Sequence, residues 1–402
     1  MRRTLPMPSS LRDSLGTLEQ IRSTVNRYFG HVHSWLPFLS PTRLELILVR
    51  SSLDTQADSV LLLLTIKLIT TPPSSPRNPR TSLYLAIKHF HLEAETSSEL
   101  SLTILQSGVL ISLYEIAHGI HPAAFLTIAA CARFAQALGI GARRAMGTRK
   151  ALSLLEREER NRVWWAIIIL DRFVTIGCPG RPLVTADPEI GDLLPSDDHA
   201  WSEGTIRADQ YCTLAAPLTM HMSKFALLCQ AARLLGQVFN AVSSDATDSE
   251  DTWLQLDRTL QSMLTASLEL REPDYDQITF IYSALTALHR PYISHTASKD
   301  LANRFDPFID ERSRRAHSFR QQLTDKISAN LIGAECLAYR DPEDMPPWGL
   351  FFAYQVCVSQ LGSNSREVLD ALKAQMKSID VRWNVAGIYL QLLEAQELML
   401  GL

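Results

Sequence analysis

Along this chain, segments whose apolar residues recur every three or four positions alternate with short polar or proline-bearing breaks. That pattern predicts helices from end to end. Leu11, Leu15, Leu18, Val25 and Tyr28 or Phe29 keep helical spacing, and Ser9 or Ser10 is placed to cap the start of that helix. Residues 59–69 (SVLLLLTIKLI) are apolar on nearly every side, which predicts a core helix. The run is far shorter than the ~20 residues that span a bilayer, and Lys67 interrupts it. Residues 71–80 (TPPSSPRNPR) hold four prolines. These remove backbone donors and fix φ, so the segment reads as a surface loop. Helical patterns resume over 81–95, 98–118 and 121–138. Leu102, Leu105, Val109, Leu113 and Ile116 mark one face of the second, Pro122 suits the first turn of the third, and Gly139 is suited to end it.

The stretch 156–201 (EREERNRVWWAIIILDRFVTIGCPGRPLVTADPEIGDLLPSDDHAW) organises the rest. Glu156 and Arg160, like Glu158 and Arg162, are four residues apart with the acid N-terminal, the favourable order on an exposed helix face. The run from Val163 to Leu170, with Trp164 and Trp165 in it, is unbroken apolar sequence and belongs inside a large protein. Asp171 and Arg172 close the run, and a charge buried there needs a partner. Arg181, in the turn Gly180-Arg181-Pro182, is one candidate for Asp171; solvation or other partners are the alternative. Gly180 allows positive φ, and Pro182 pushes Arg181 toward an extended backbone. The loop that follows carries Asp187, Glu189, Asp192, Asp197 and Asp198 between Pro188 and Pro195. Its spacing fits no EF-hand. Asp197 and Asp198 are suited to cap a following helix or to bind backbone donors.

Beyond Trp201 the periodicity predicts helices over 206–242, 251–271, 275–294, 311–339, 350–361, 366–378 and 381–400. Pro217 predicts a break near Ala216. The polar run 243–251 (SSDATDSED) is a linker by composition, and 341–347 is a proline-rich turn. No alternating run bounded by Asn-Gly or Asp-Gly suggests a hairpin. The expectation is an all-α chain: one large helical domain over 1–402, with long Pro- and Asp-rich loops.

One resemblance is specific. Arg162-x-Trp164-Trp165, Leu170-Asp171-Arg172, Gly180-Arg181-Pro182, Leu194-Pro195-x-Asp197-Asp198 and Trp201 occur in the order and spacing of the signature block of the fungal-specific transcription factor domain. That domain is the middle regulatory region of fungal binuclear zinc-cluster regulators. The segment from Tyr28-Phe29 to Leu36-Pro37-Phe38 resembles its beginning, 129–141 the helix before the signature, and Pro347-Trp348-Gly349 its later part. The resemblance implies an all-helical regulatory domain and marks Arg162, Trp164, Trp165, Asp171, Arg172, Gly180, Arg181, Pro182, Pro195, Asp197 and Asp198 as its structural signature.

Composition narrows the picture further. The 402 residues are 46% hydrophobic and 20% charged with net charge −4, enough to bury a sizeable core and too acidic for broad nucleic-acid binding. The six cysteines, Cys131, Cys178, Cys212, Cys229, Cys336 and Cys357, form no CxxC pair and read as reduced, mostly buried thiols. The residues Arg143, Arg144, Arg149 and Lys150 read as a solvated loop with phosphate binding as the sharper alternative. The pairs His31/His33, His89/His91 and His118/His121 read as structural. No Gly-x-Ser-x-Gly, His-Glu-x-x-His or P-loop motif is present, and Gly139-Ile140-Gly141 lacks the third glycine of a dinucleotide fingerprint. No catalytic residue, metal ligand or cofactor site is expected within this chain.

What the family implies about function is transcription regulation in the nucleus. The zinc cluster that normally precedes the domain is not in this sequence. DNA contact is therefore expected only indirectly, through a segment missing from this version of the sequence or through a partner. The expected partners are another transcription factor or a second copy of the chain, with a small-molecule effector and no membrane. A helical ligand-binding protein or enzyme derived from the domain is the alternative.

Overall fold

The computed structural model describes residues 8–49, 56–72, 78–96, 100–141, 152–178, 180–216, 222–243, 249–270, 273–294, 311–319, 341–361 and 366–401. Their regular structure is helical apart from one antiparallel bridge, Leu193 to Thr213. In chain order the α-helices are α1 Ser9–Asp13, α2 Leu18–Gly30, α3 Val32–Trp35, α4 Pro41–Val49, α5 Ala57–Thr70, α6 Ser82–Glu95, α7 Leu102–Ala117, α8 Ala123–Ala137 and α9 Leu154–Ile176. There follow α10 Asp198–Glu203, α11 Lys224–Ser243, α12 Ser249–Glu269, α13 Tyr275–Ser294, α14 over 311–319, α15 Pro347–Gln360, α16 Arg366–Ile379 and α17 Val385–Leu400. The all-α expectation holds.

The helices group into two compact units. The first takes the chain to Thr175, with Pro182–Gln230 and the short segment Val381–Asn384. Its centre is α7, every residue of which is buried, packed against α5 and α8. Helix α5 is buried along almost its whole length, as its sequence predicts, and also meets α2 and α6. Contact is close: a Cβ on Gly108 in α7 would sit 2.8 Å from Cys131 Sγ and 2.9 Å from His91 Nε2. The second unit holds Ile176–Arg181, Ala231–Asp380 and Val385–Leu402. In it α13 packs on α12 and α15, and α15 on α16 and α17. Trp348 at the start of α15 is fully buried, edge-on to Phe280 and bonded through Nε1 to Asp276 at 3.0 Å.

Several boundaries differ from the sequence expectation, each for a local reason. The first predicted helix is two. Gly16 turns the chain at φ +85°, and Thr17 with Gln20 forms a capping box that starts α2 afresh. Pro8, not a serine side chain, precedes α1. The helix expected over 206–242 begins only at Lys224. Before it the backbone is committed elsewhere: Leu194 N–H donates to Cys212 O at 2.8 Å and Leu214 N–H to Asp192 O at 3.1 Å. Pro217 lies outside the described residues. The helix expected from 381 starts at Val385. Of the helix expected over 311–339, residues 311–319 are helical and the rest lies outside the described residues, as do Cys336, the basic residues at 143, 144, 149 and 150, and most of the polar run after Ser243.

Helix α11 is long and apolar enough to cross a membrane by length and composition, but 56% of its most apolar window is buried within the protein. Gly139 ends α8 as expected. Its φ is +73°, its N–H reaches Gln136 O at 3.0 Å, and Ile140 N–H reaches Ala135 O at 2.9 Å.

Candidate functional site: two buried arginines on one helix

Helix α9 carries Arg162 and Arg172 ten residues apart, ~15 Å along its axis. Both are fully buried. An unmatched buried charge costs several kcal/mol, so such residues persist only where partners surround them.

Arg162 is surrounded. Its Nε donates to Glu158 Oε1 at 2.7 Å, one turn back along α9. One Nη reaches Pro37 O at 3.1 Å and Asp198 Oδ1 at 3.0 Å; the other reaches Ser196 O at 2.7 Å. The guanidinium lies 4.9 Å from the ring centre of Trp201 and 5.5 Å from that of Phe225. The acids are held in turn: Glu158 Oε1 accepts from Ser196 N at 2.8 Å, and Asp198 Oδ2 accepts from Phe225 N at 3.1 Å. One side chain thus joins the segment before α4, the loop before α10, and the first turn of α11. The expected Glu158–Arg162 pair forms, but not on the surface: both side chains are fully buried. Neighbouring Arg160 donates to Leu138 O at 3.2 Å, and Glu156 accepts from Ser153 at the start of α9. Burial, and then the Arg162 cation, hold His33 neutral, with its pKa pushed down to about 3.

Arg172 anchors the loop that leaves α9. It pairs with Asp171 at 2.8 Å and Asp187 at 2.9 Å and donates to Thr185 O at 3.2 Å and Ala186 O at 3.3 Å, with a further short contact to Thr185 Oγ1. Asp171 accepts from Thr185 N at 2.9 Å, Thr185 Oγ1 at 2.7 Å and Val184 N at 3.3 Å. These contacts correct the candidate Asp171–Arg181 pair. The neighbouring arginine and the loop donors already meet both carboxylate oxygens, while Arg181 is exposed, its N–H on Cys178 O at 3.2 Å. Gly180 takes φ +85°, the turn conformation its sequence suggested.

The tryptophans divide their work. Trp165 is buried and donates to Leu193 O at 2.9 Å. Trp164 packs over Gly141, where φ is +71° and a Cβ would sit 2.4 Å from the indole. Pro195 is buried between Leu194 and Ser196, and Ser196 meets both partners, its N–H donating to Glu158 and its carbonyl accepting from Arg162. Asp197 caps α10, accepting from His199 N at 3.0 Å and Ala200 N at 2.9 Å. Asp192 accepts from Glu189 N at 2.8 Å. The acids of this loop therefore spend oxygens on arginines and backbone donors. Among the described residues no group of three or more His, Cys, Asp or Glu side chains is arranged to hold a metal. The described cysteines are free thiols, and Cys131 and Cys229 are fully buried with pKa raised by that burial. They do not fit the zinc cluster that the family implies.

Other buried charges were not visible in the sequence. Glu159 faces away from Glu158 and pairs with Arg43 at 2.8 Å and Gln106 at 2.9 Å. Glu115, fully buried in α7, accepts from Tyr84 OH at 2.7 Å and pairs with Lys88 at 3.0 Å. Only their place within otherwise apolar helical faces could have marked them.

These features define an all-helical scaffold tied internally by buried ion networks. The pattern of the fungal specific transcription factor domain matches residues 25–290, well over half of the chain. The chain belongs to that family, and its role is in transcription regulation. The transcription factor BOA15 of Botryotinia fuckeliana is 35% identical over 136 residues, 33% of this chain and 76% of that protein. The arabinolytic transcriptional activator araR of Emericella nidulans is 44% identical over 54 residues, 13% of this chain and 6% of that protein. An ABC-transporter-regulating transcription factor of Aspergillus fumigatus is 29% identical over 181 residues, 42% of this chain but 18% of its own length. No solved structure matches.

Proposed function

We propose that this chain is the signal-receiving rather than the DNA-reading part of a transcription regulator. It works in the nucleus through another transcription factor or a second copy of itself, holds no zinc of its own, and has no catalytic activity. The observation that carries this reading is the Arg162 hub. It lies inside the family-matched region and ties separate segments of the first unit through one buried side chain. Well-bonded buried polar networks rigidify a fold and specify one arrangement of it, which suits an element that holds a state rather than one that turns over a substrate. The net charge of −4 supports indirect contact with DNA.

The test is a tethering experiment. The full chain is fused to an unrelated DNA-binding module and expressed in a fungal host with the matching reporter. Reporter output should change several-fold relative to the module alone, and the unfused chain should shift no promoter DNA in a gel. A neutral fusion in a nuclear, folded chain, or a sequence-specific shift by the unfused chain, overturns the reading.

A further inference from the structure

The first unit contains four residues that come from far along the chain. Val381–Asn384 belong to it, whereas Asp380 before them and Val385 after them belong to the second unit. Val381 is exposed, but Arg382, Trp383 and Asn384 are buried, Trp383 completely. Their seat is made by the ends of two core helices. Arg382 Nη2 donates to Ile69 O at 2.5 Å, at the end of α5, and the same guanidinium lies 3.6 Å over the Trp383 ring. At the end of α7, His118 Nδ1 lies 2.8 Å from Asn384 Oδ1. The His118 ring is 5.6 Å from Trp383 and 4.3 Å from Tyr114, and Tyr114 OH is fixed on Pro79 O at 2.7 Å. A guanidinium meets a carbonyl, an indole lies beside an imidazole, and an amide reaches that imidazole; arginine and tryptophan are among the residue types enriched in recognition hot spots.

The base of this segment is closed separately. Gly387 N–H donates to Asp380 Oδ1 at 3.1 Å, across the residues that form the tip. Gly387 suits this position because a Cβ there would sit 2.4 Å from the same oxygen. A loop whose ends are joined has less freedom to lose when its tip is seated, which lowers the ordering cost of re-seating it.

We propose that the ends of α5 and α7 form a recognition site for a short Arg-Trp-Asn segment, occupied in this structure by the chain's own residues 382–384 as a detachable latch. The site goes beyond the regulatory role proposed above and does not depend on it. The seat recognises an arginine stacked on tryptophan followed by an amide that reaches a neutral histidine. Because the chain supplies this ligand itself, an added copy of the segment sees only the small open fraction of the wild-type protein, and its apparent affinity falls by that fraction.

The experiment uses the full chain and a fluorescein-labelled peptide of residues 378–388. Trp383→Ala, with wild-type helical circular dichroism, should bind the peptide at least ~10-fold more tightly than wild type does. Adding His118→Ala to that variant should abolish the gain. A folded Trp383→Ala chain that takes up no peptide overturns the proposal. Native-state hydrogen exchange on the wild-type protein decides the matter without any variant. The amides of Arg382, Trp383 and Asn384 should exchange through an opening that leaves the α7 amides protected. If they exchange only together with α7, the segment is a fixed part of the core and the latch is refuted.

Discussion

The charged clusters of the two units solve one problem differently. In the first, Arg162 and Arg172 are completely buried, and backbone carbonyls of surrounding loops take up their donors alongside carboxylates. In the second, the acid is buried but its arginine is not. Asp257 lies 3.0 Å from His289 Nε2, accepts from Gln261 at 2.8 Å, and reaches Arg315 at 3.2 Å. Burial raises the Asp257 pKa, but the bonds from His289, Gln261 and Arg315 outweigh it and hold the group below its ordinary value. Arg315 itself is partly exposed and also pairs with Glu311. His289 is fully buried, stacked on Phe319 and edge-on to Trp253. A buried arginine must be fed by many acceptors from several segments, so it organises loops. A buried aspartate needs only a few donors, and helices α12, α13 and α14 supply them side by side. The first arrangement leaves a long sequence signature, because the loops must return to the same helix. The second leaves four scattered residues, Asp257, Gln261, His289 and Arg315.

The contrast predicts a graded response to substitution. Arg162→Ala has the largest effect, because it leaves Glu158 buried without its cation. The expected loss is ~3–5 kcal/mol, read as a lower urea midpoint at unchanged slope or as loss of soluble protein. The double change Glu158→Leu with Arg162→Met should recover part of it, since no uncompensated charge then remains at that pair. If the single change costs less than the double, the hub is not held by charge matching. Asp171→Ala comes next. Arg172 keeps Asp187 and its carbonyl partners, so ~2–3 kcal/mol is expected, the scale of hydrogen bonds to a charged group. Thermal unfolding of the purified variant checks this value against the first.

Acid should act through the first unit. His33 and His118 are pushed down to about 3 and His91 to about 4, each chiefly by burial. A histidine whose folded pKa lies below its unfolded value of ~6.5 takes up its proton more readily on unfolding. Its stabilising effect is complete above pH ~6.5 and is lost as pH falls toward the folded value, by at most ~1.4 kcal/mol per histidine per pH unit. Unfolding midpoints measured between pH 7 and pH 5 should therefore fall, and the fall should shrink in His33→Gln if that variant folds. An unchanged slope in His33→Gln would remove this histidine from the account. The smallest effect is expected at Arg315→Ala. Asp257 retains His289 and Gln261, and the lost arginine is 31% exposed, so ~0.5–1 kcal/mol is the scale. A loss as large as that of Arg162→Ala would erase the distinction between the two units.

Much of this is legible in the sequence. Apolar periodicity located α5, α7, α8 and α13 closely, because a helix that must bury a broad face writes it into its own sequence. Asp197 as a cap and Gly139 as a helix end followed from local backbone chemistry. Arg162, Trp165, Asp171, Arg172 and Asp198 were legible as a group only through the family signature. Their sequence alone suggested a charged surface turn at Glu158, which the fold replaced, and left the partner of Asp171 open, with Arg181 one candidate that the fold does not use.

The sequence by itself thus determined the helical class, the family, and which stretch would carry the organising residues, since each of these rests on local periodicity or on an ordered string of residue types. The tertiary structure alone decided which carboxylate meets which arginine, that Glu158 faces inward and Arg181 outward, and that residues 382–384 come to rest beside His118. Those outcomes depend on segments distant along the chain arriving at one place. Burial then sets the value of each charge, and burial is a property of the packed whole rather than of any local run of residues.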